Sequence, residues 1–178
     1  FEGFVEYLKA NDGKLVASTI PSNVYEIFYA WLRKEYGVEF STLPFDSAAD
    51  TSMAVQNGSA HFSVGLTSVD NARIQAGEIK LIAALGDTRW PVAPDVPTLQ
   101  ESGYPDVMVA TILGIGLPKG TPEAIRQKWE SALEKVLQKE DIVDKLVNLS
   151  TEPAFKKGDE FKDYLNELDT AFKTMLGK

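Results

Sequence analysis

The spacing of apolar residues over the first half of the chain switches repeatedly between a helical and an extended period. Phe1, Phe4, Val5 and Leu8 are three or four positions apart, which predicts an amphipathic helix that ends at Asp12-Gly13. Short runs of extended character follow, and the last of them is nearly all apolar, as in a strand buried on both faces. The predicted strands are Lys14–Ile20, Val38–Leu43, Ala60–Val64 and Ile79–Leu85.

Helix signals separate these predicted strands. Ser22-Asn23 can cap a helix that ends at Gly37, and further helices are predicted over Ser47–Asn57 and from Thr67-Ser68 to Gly77. Parallel neighbours cannot be joined by a tight turn, so strands that alternate with helices indicate right-handed crossovers and an α/β fold. The apolar stripe predicted for the helix after Asn23 consists of Val24, Ile27, Phe28, Trp31 and Leu32.

The chain changes character after the fourth predicted strand. Four prolines are concentrated between Gly86 and Pro105, which makes this stretch the best candidate for a domain boundary. Beyond it, Val107–Leu117 is predicted to form a strand, and Thr121 to cap a helix that starts at Pro122. Helical patterns then dominate up to the C-terminus. The last predicted helix carries Phe161, Tyr164, Leu165, Leu168 and Phe172.

Composition narrows the functional classes. The chain has 26 Asp and Glu against 18 Lys and Arg, and this acidic excess argues against a nucleic-acid partner, which needs clustered basic side chains. The absence of cysteine excludes disulfides and thiolate catalysis. No apolar run approaches the roughly 20 residues of a membrane span. Nothing in the composition indicates a cofactor.

Few residues suit catalysis or metal binding. His61 is the only histidine, and no Glu stands at ligand spacing from it, which favours a structural role. No serine stands in a G-x-S-x-G nucleophile elbow. Asp46 and Asp50, four positions apart, suggest an acid pair or a metal site, but solvated acids in a first helical turn are the simpler interpretation. We therefore expect no catalytic residue and no metal ligand.

Three successive predicted strands each lead directly into a helix, through the loops Thr19–Val24, Phe45–Asp50 and Gly65–Asp70. Helix N-termini present free N–H groups and the positive end of the helix dipole. In a parallel sheet these loops share the carboxyl edge, where ligands of open α/β sheets bind. This predicts a site for a small anion or polar solute, although each residue could simply cap its helix. The polar side chains predicted to line the site are Ser18, Thr19, Ser22, Asn23, Ser47, Thr67 and Ser68.

Three sequence strings carry a resemblance to a known family. Residues 83–89 read A-A-L-G-D-T-R, residues 94–104 read P-D-V-P-T-L-Q-E-S-G-Y, and residues 114–122 read G-I-G-L-P-K-G-T-P. Together they resemble the receptors of tripartite tricarboxylate transporters, also called Bug-type receptors, which are periplasmic solute-binding proteins. The similarity covers essentially the whole chain.

The resemblance implies a type II periplasmic binding-protein fold: an α/β fold with a parallel or mixed sheet and flanking helices, whose two lobes close on a carboxylate. Family chains carry roughly a hundred further residues before the position of Phe1, forming most of the N-terminal lobe. Residues 1–105 would then be the second, ligand-binding lobe, and residues 106–178 the C-terminal portion of the first lobe. By position, Ser18, Thr19, Ser22 and Asn23 match a Gly/Ser-rich family loop, and Phe45, Asp46, Ser47 and Ala48 match its Y-K-G segment.

The implied function is non-enzymatic capture of a small, carboxylated compound in the periplasm for the membrane subunits of a transporter. Two departures from the family pattern bear on the ligand. Pro21 offers no N–H to its loop. Asp46 stands where the family often has Lys, and a ligand carboxylate about 4 Å from it would be repelled by several kcal/mol at intermediate dielectric.

An inward-pointing Asp46 would therefore disfavour a tricarboxylate, whereas a mono- or dicarboxylate, or a neutral or amino-bearing solute, is compatible with the loop. Two other classes of function stay open. One is a ligand-sensing domain that signals to a partner such as a histidine kinase. The other is a small α/β enzyme that uses Asp46 and Asp50.

Overall fold

The computed structural model describes residues 1–21, 23–148, 151 and 153–177. Helices and short strands alternate over the first 75 residues, and from residue 123 onward the only regular elements among the described residues are helices. The helices are α1 (Glu2–Ala10), α2 (Val24–Tyr36), α3 (Ala48–Gln56), α4 (Thr67–Gln75), α5 (Glu123–Leu137), α6 (Glu140–Asn148) and α7 (Gly158–Leu176). The strands are β1 (Val16–Thr19), β2 (Ser41–Pro44) and β3 (Phe62–Ser63).

The three strands form one parallel sheet in the order β2-β1-β3. Val16 is opposite Ser41 in β2, and Ala17 is opposite Phe62 in β3. The chain reaches β2 through α2 and β3 through α3, which confirms the predicted α/β class with crossover helices. The carboxyl ends of all three strands therefore lie at one edge.

The core is centred on β1 and α2. Ala17, Tyr29 and Leu32 are completely buried, and the rings of Phe40 and Phe62 meet edge to face at 5.1 Å. Aromatic pairs of this kind contribute about 0.5–1.5 kcal/mol beyond the area they bury.

The predicted stripe of α2 is correct only in part. Phe28, Trp31 and Leu32 are buried as expected, but Val24 and Ile27 are only half-buried. Tyr25 and Tyr29 are buried in addition. The buried face of α2 is therefore wider than the apolar pattern indicated, because both tyrosines lie inside the protein near the carboxyl edge of the sheet.

Two predicted strands are wrong. Residues 79–85 pair through a single bridge, between Ala84 and Thr98, and Ile82 is 39% exposed. Val107–Leu117 forms no ladder either, although the Val109 N–H donates to the Leu85 carbonyl at 2.9 Å. An extended apolar segment forms a strand where a neighbouring segment pairs with it over several residues. Here each neighbouring segment contributes only one or two backbone hydrogen bonds. Thr121 is not a helix cap, since its hydroxyl donates to the Pro118 carbonyl instead.

The P-D-V-P-T-L-Q-E string forms a local structure that we call the Thr98–Glu101 clasp. The Thr98 hydroxyl accepts the Glu101 N–H at 3.1 Å, and the Glu101 carboxylate accepts the Thr98 N–H at 2.9 Å. This is the reciprocal arrangement of a capping box. Arg89 donates to the same carboxylate at 2.7 Å and holds the pKa of Glu101 below its usual value. One of the three strings that carry the family resemblance is therefore a structural element.

The chain divides into two compact units. Unit 1 comprises residues 1–110 and 168–178, and it contains the sheet, the buried core and the clasp. Unit 2 comprises residues 111–167, with α5, α6 and the first part of α7. Within unit 2, Arg126 bridges Glu123 and Glu130 on α5. Among the described residues, no helix is long and apolar enough to cross a membrane.

Candidate functional site

The three loops predicted to form a site do share one edge of the sheet. They lead from β1 to α2, from β2 to α3 and from β3 to α4. The first two are joined directly, because the Phe45 N–H donates to the Thr19 carbonyl at 2.8 Å. The strand order adds a second feature. Because β1 lies between β2 and β3, the chain passes from one side of β1 to the other, and such a switch point is where open α/β sheets bind ligands.

In the first loop, the predicted residues differ in accessibility. Ser18 is completely buried, and its hydroxyl donates to the Thr51 carbonyl on α3 at 2.8 Å. Thr19 is 2% exposed, and its hydroxyl has no hydrogen-bond partner among the described residues. Asn23 is half-buried, and its side chain accepts the Val24 N–H at 2.6 Å as the cap of α2. Ser22 lies outside the described residues.

The second loop carries the cap of α3. Ser47 accepts the Asp50 N–H at 3.2 Å and donates to the Asp50 carboxylate at 2.7 Å. Asp46 is exposed, while Phe45 and Ala48 are half-buried. The Asp50 carboxylate is thus engaged with the cap, and no group of three potential ligands for a metal ion occurs in the part of the chain that the structure describes.

The third loop opens α4 without a side-chain cap. Leu66 is the N-cap residue, and Thr67 and Ser68 are the first two helical residues. Thr67 is half-buried and Ser68 is exposed. This loop therefore presents the uncapped N-terminus of a nine-residue helix to the carboxyl edge.

Tyr29 completes the sheet where the β1–β3 ladder stops. The paired register ends at Ser18 and Ser63. Beyond that point the Tyr29 hydroxyl donates to the Ser18 carbonyl at 2.7 Å and accepts the Val64 N–H at 3.0 Å. Burial raises the pKa of Tyr29, so its phenol stays protonated and can make both bonds. A side chain here replaces direct backbone pairing between the two strand ends.

A cluster of buried polar groups lies at the same edge, and sequence reasoning missed it. Asp70 in α4 is 4% exposed, and burial raises the pKa of its carboxyl. Hydrogen bonding of the Asp70 carboxylate with the Ser52 side chain and the Leu66 backbone, together with the Arg73 charge, offsets part of that rise in pKa. Tyr25 is 1% exposed, and burial and the Asp70 charge both raise the pKa of its phenol. The signal in the sequence was that Tyr25 and Tyr29 are four positions apart, which places both tyrosines on the same face of α2.

The expected structural role of His61 agrees with its position. Its Nδ1 accepts the Val16 N–H at 3.1 Å, and the backbone N–H of His61 donates to the Val16 carbonyl at 2.8 Å. The imidazole therefore extends the pairing between β1 and the segment that leads into β3. It is engaged with the backbone of the sheet at the start of β1 and β3, whereas the three loops lie at the carboxyl ends of the strands.

The chain thus has a three-stranded parallel sheet with crossover helices and a polar carboxyl edge, which is the edge where open α/β sheets bind ligands. The chain belongs to the tripartite tricarboxylate transporter family receptors, since its sequence matches that family over residues 1–176. The members of this family are described as receptors of tripartite tricarboxylate transporters. A curated relative, the UPF0065 protein in gbd 5'region from Cupriavidus necator, is 27% identical over 176 residues, which are 98% of this chain and 53% of the relative. The chain therefore spans about half the length of this curated relative.

Solved structures show the same fold. R. palustris Rpa4515 with adipate superimposes with a TM-score of 0.81 at 20% sequence identity, over 99% of this chain and 60% of that one. MatC (Rpa3494) from Rhodopseudomonas palustris with bound malate gives a TM-score of 0.77 at 21% identity, over 98% of this chain and 61% of that one. Both similarities confirm the expected periplasmic binding-protein-like α/β fold.

Proposed function

We propose that the protein captures a small carboxylated compound in the periplasm and delivers it to the membrane subunits of a tripartite tricarboxylate-type transporter. The ligand would be held at the carboxyl edge of the sheet by the loops that open α2, α3 and α4. The proposal includes all ten site residues predicted from the sequence: Ser18, Thr19, Ser22, Asn23, Phe45, Asp46, Ser47, Ala48, Thr67 and Ser68. It requires neither a cofactor nor a metal.

The convergence of three helix N-termini at one edge, in a chain of this receptor family, is the observation that carries the proposal. Each N-terminus directs free N–H groups and a partial positive charge toward an anion. Hydrogen bonds to a charged carboxylate contribute about 1.5–3 kcal/mol each. Three or four of them support micromolar binding after the cost of association.

The buried side chains of the first loop serve as scaffold in this proposal. The Ser18 hydroxyl is engaged with α3, so the contribution of this residue is to hold α3 against β1. Ser47 and Thr67 are half-buried and Ser68 is exposed, so the main chain at the start of α3 and α4 can be reached from the edge. In this proposal the second and third loops make the main direct contacts with the ligand.

We also propose that residues 1–105 act as the second, ligand-binding lobe and that residues 106–178 contribute to the first lobe. Among the described residues of unit 2, none is buried, and Leu113 is 88% exposed. Apolar side chains on this unit are therefore available to pack against other parts of a first lobe.

The negative charge of Asp46 should make the site prefer ligands with fewer carboxylates. A carboxylate about 4 Å from an exposed acid is repelled by about 1 kcal/mol in water, which is several-fold in affinity. We therefore expect a dicarboxylate such as adipate or malate to bind more tightly than citrate. Asp46→Asn should improve citrate binding more than malate binding.

Titration calorimetry on the full-length protein, with adipate, malate and citrate as probes, tests the site. Ala48→Trp places an indole at the start of α3 and should abolish binding, whereas Ser22→Ala should weaken it only modestly because main-chain donors survive mutation. Ala76→Trp is the matched control, because Ala76 is exposed at the far end of α4. Equal affinity in Ala48→Trp and the wild type would place the ligand elsewhere and leave the loops as ordinary helix caps.

A further inference from the structure

We infer that Asp70, Tyr25 and Ser52 form an inner subsite that accepts a primary ammonium group of the ligand, so that the preferred solute is an amino-bearing carboxylate. This inference rests on the proposed function, since it extends the same carboxyl edge inward. The feature that carries it is a buried acid beside two buried hydroxyls, and these groups lie behind the three loops and cap none of the helices.

The three side chains come from the three helices that open at this edge. Tyr25 is in the first turn of α2, Ser52 is in the second turn of α3, and Asp70 is one turn into α4. The Asp70 carboxylate lies directly over Gly65, just beyond β3, where a Cβ would overlap it. The missing side chain at Gly65 is therefore what allows the carboxylate to reach the end of the strand.

The cluster has unused hydrogen-bonding capacity. Oδ1 of Asp70 and the hydroxyl oxygen of Tyr25 are buried and have no hydrogen-bond partner among the described residues. The buried Ser52 hydroxyl lies against the Asp70 carboxylate, and its oxygen can still accept a hydrogen bond. Their residues are 4%, 1% and 2% exposed, respectively. Buried polar groups in native proteins are nearly always paired, so an unpaired set of this kind indicates a group that the cluster is built to receive.

The chemistry of the three oxygens selects the group. A carboxylate accepts hydrogen bonds only, and each hydroxyl can accept one as well. A primary ammonium has three N–H donors and a positive charge, so it matches three acceptors at once and neutralises the acid. A ligand carboxylate would be repelled by Asp70, and a ligand hydroxyl has a single donor. The α3 and α4 N-termini remain available for the anionic end of the same solute.

Succinate, malate and aspartate test the inference, because they share a four-carbon skeleton and differ only in the substituent at carbon 2. Titration calorimetry on the full-length protein should show aspartate binding at least about tenfold more tightly than succinate, as expected for a charge-assisted hydrogen-bonded pair. Asp70→Asn keeps the shape of the side chain and removes its charge, and it should reduce this preference to within about twofold. The exposed Asp87 supplies the matched control, and Asp87→Asn should keep the preference of the wild type.

Two further variants separate the subsite from a general loss of structure. Tyr25→Phe should weaken aspartate binding more than succinate binding. Gly65→Ala retains the acid but displaces it, and it should also lose the preference, with the melting temperature of each variant reporting that it folds.

Equal binding of succinate and aspartate by the wild type, or an aspartate preference that survives in Asp70→Asn, would overturn the inference and leave the proposed function intact. A preference for malate alone would equally overturn the ammonium assignment. Binding of none of the tested diacids and amino diacids would overturn the proposed function, and the inference with it.

Discussion

The two compact units of this chain differ in how their apolar residues are covered. Unit 1 buries a continuous cluster around β1 and α2, including Leu8, Tyr29 and Leu32. In unit 2, no described residue is buried, and Trp129 on α5 is 46% exposed. The helices of unit 2 instead carry surface ion pairs, each of which contributes little to the free energy of unfolding. An amphipathic helix should therefore contribute much more to stability in unit 1, where its apolar face is buried, than in unit 2, where its apolar face is exposed.

The largest expected effect comes from cutting into the core of unit 1. Leu32→Ala removes a completely buried side chain and should lower the free energy of unfolding by about 2–5 kcal/mol, through lost transfer energy and the cavity left behind. Leu133→Ala in α5 is the matched change in unit 2, where Leu133 is only half-buried, and it should cost clearly less. Urea unfolding of both variants measures the difference, and equal losses would show that unit 2 contributes a core of its own.

Removing the Tyr29 hydroxyl should have the next largest effect. Tyr29→Phe leaves the Ser18 carbonyl and the Val64 N–H without their partner inside the protein, at about 1–3 kcal/mol for an unsatisfied buried group. Tyr7→Phe is the control, since Tyr7 is 47% exposed, and it should stay within about 0.5 kcal/mol of the wild type. Chemical denaturation measures both changes. A neutral Tyr29→Phe would mean that the ends of β1 and β3 are held by packing alone.

The capping hydroxyl of the Thr98–Glu101 clasp should have a smaller effect. Thr98→Val keeps the side-chain shape and removes the acceptor for the Glu101 N–H, which should lower the free energy of unfolding by about 1 kcal/mol. Thr121→Val in unit 2 is the counterpart, because its hydroxyl bonds an exposed turn, and thermal unfolding should show a smaller loss. A larger loss at Thr121 would reverse the ranking of the two units.

The last prediction concerns pH. Burial raises the pKa of Asp70 in the folded protein above its ordinary value of about 4. As pH rises from there, the unfolded chain releases its proton first and the free energy of unfolding falls. Asp70→Asn removes this penalty. Its free energy of unfolding should therefore rise relative to the wild type between about pH 4 and the folded-state pKa, and the difference should then level off. Urea titrations at several pH values measure it, and a difference independent of pH would contradict a raised pKa.

The sequence determined the features that depend on neighbouring residues along the chain. Periodicity and capping residues predicted α1 to α4 in their correct order, and Gly37 adopts the left-handed conformation expected at the end of α2. The carboxyl-edge position of the three loops followed from the alternation of strands and helices. These inferences succeeded because hydrophobic periodicity, helix caps and the crossover connection of parallel strands are local or topological properties.

Only the tertiary structure decided which extended segments became strands and which polar groups were buried. Ile79–Leu85 has the composition of a central strand, yet it pairs at one position, because a strand needs a neighbour and the sequence does not state where that neighbour lies. Tyr25, Ser52 and Asp70 are separated by up to 45 positions and come together only when α2, α3 and α4 open at one edge. Burial and proximity between residues far apart in sequence depend on the whole fold. For that reason the sequence alone did not predict that Asp70 is buried behind the site.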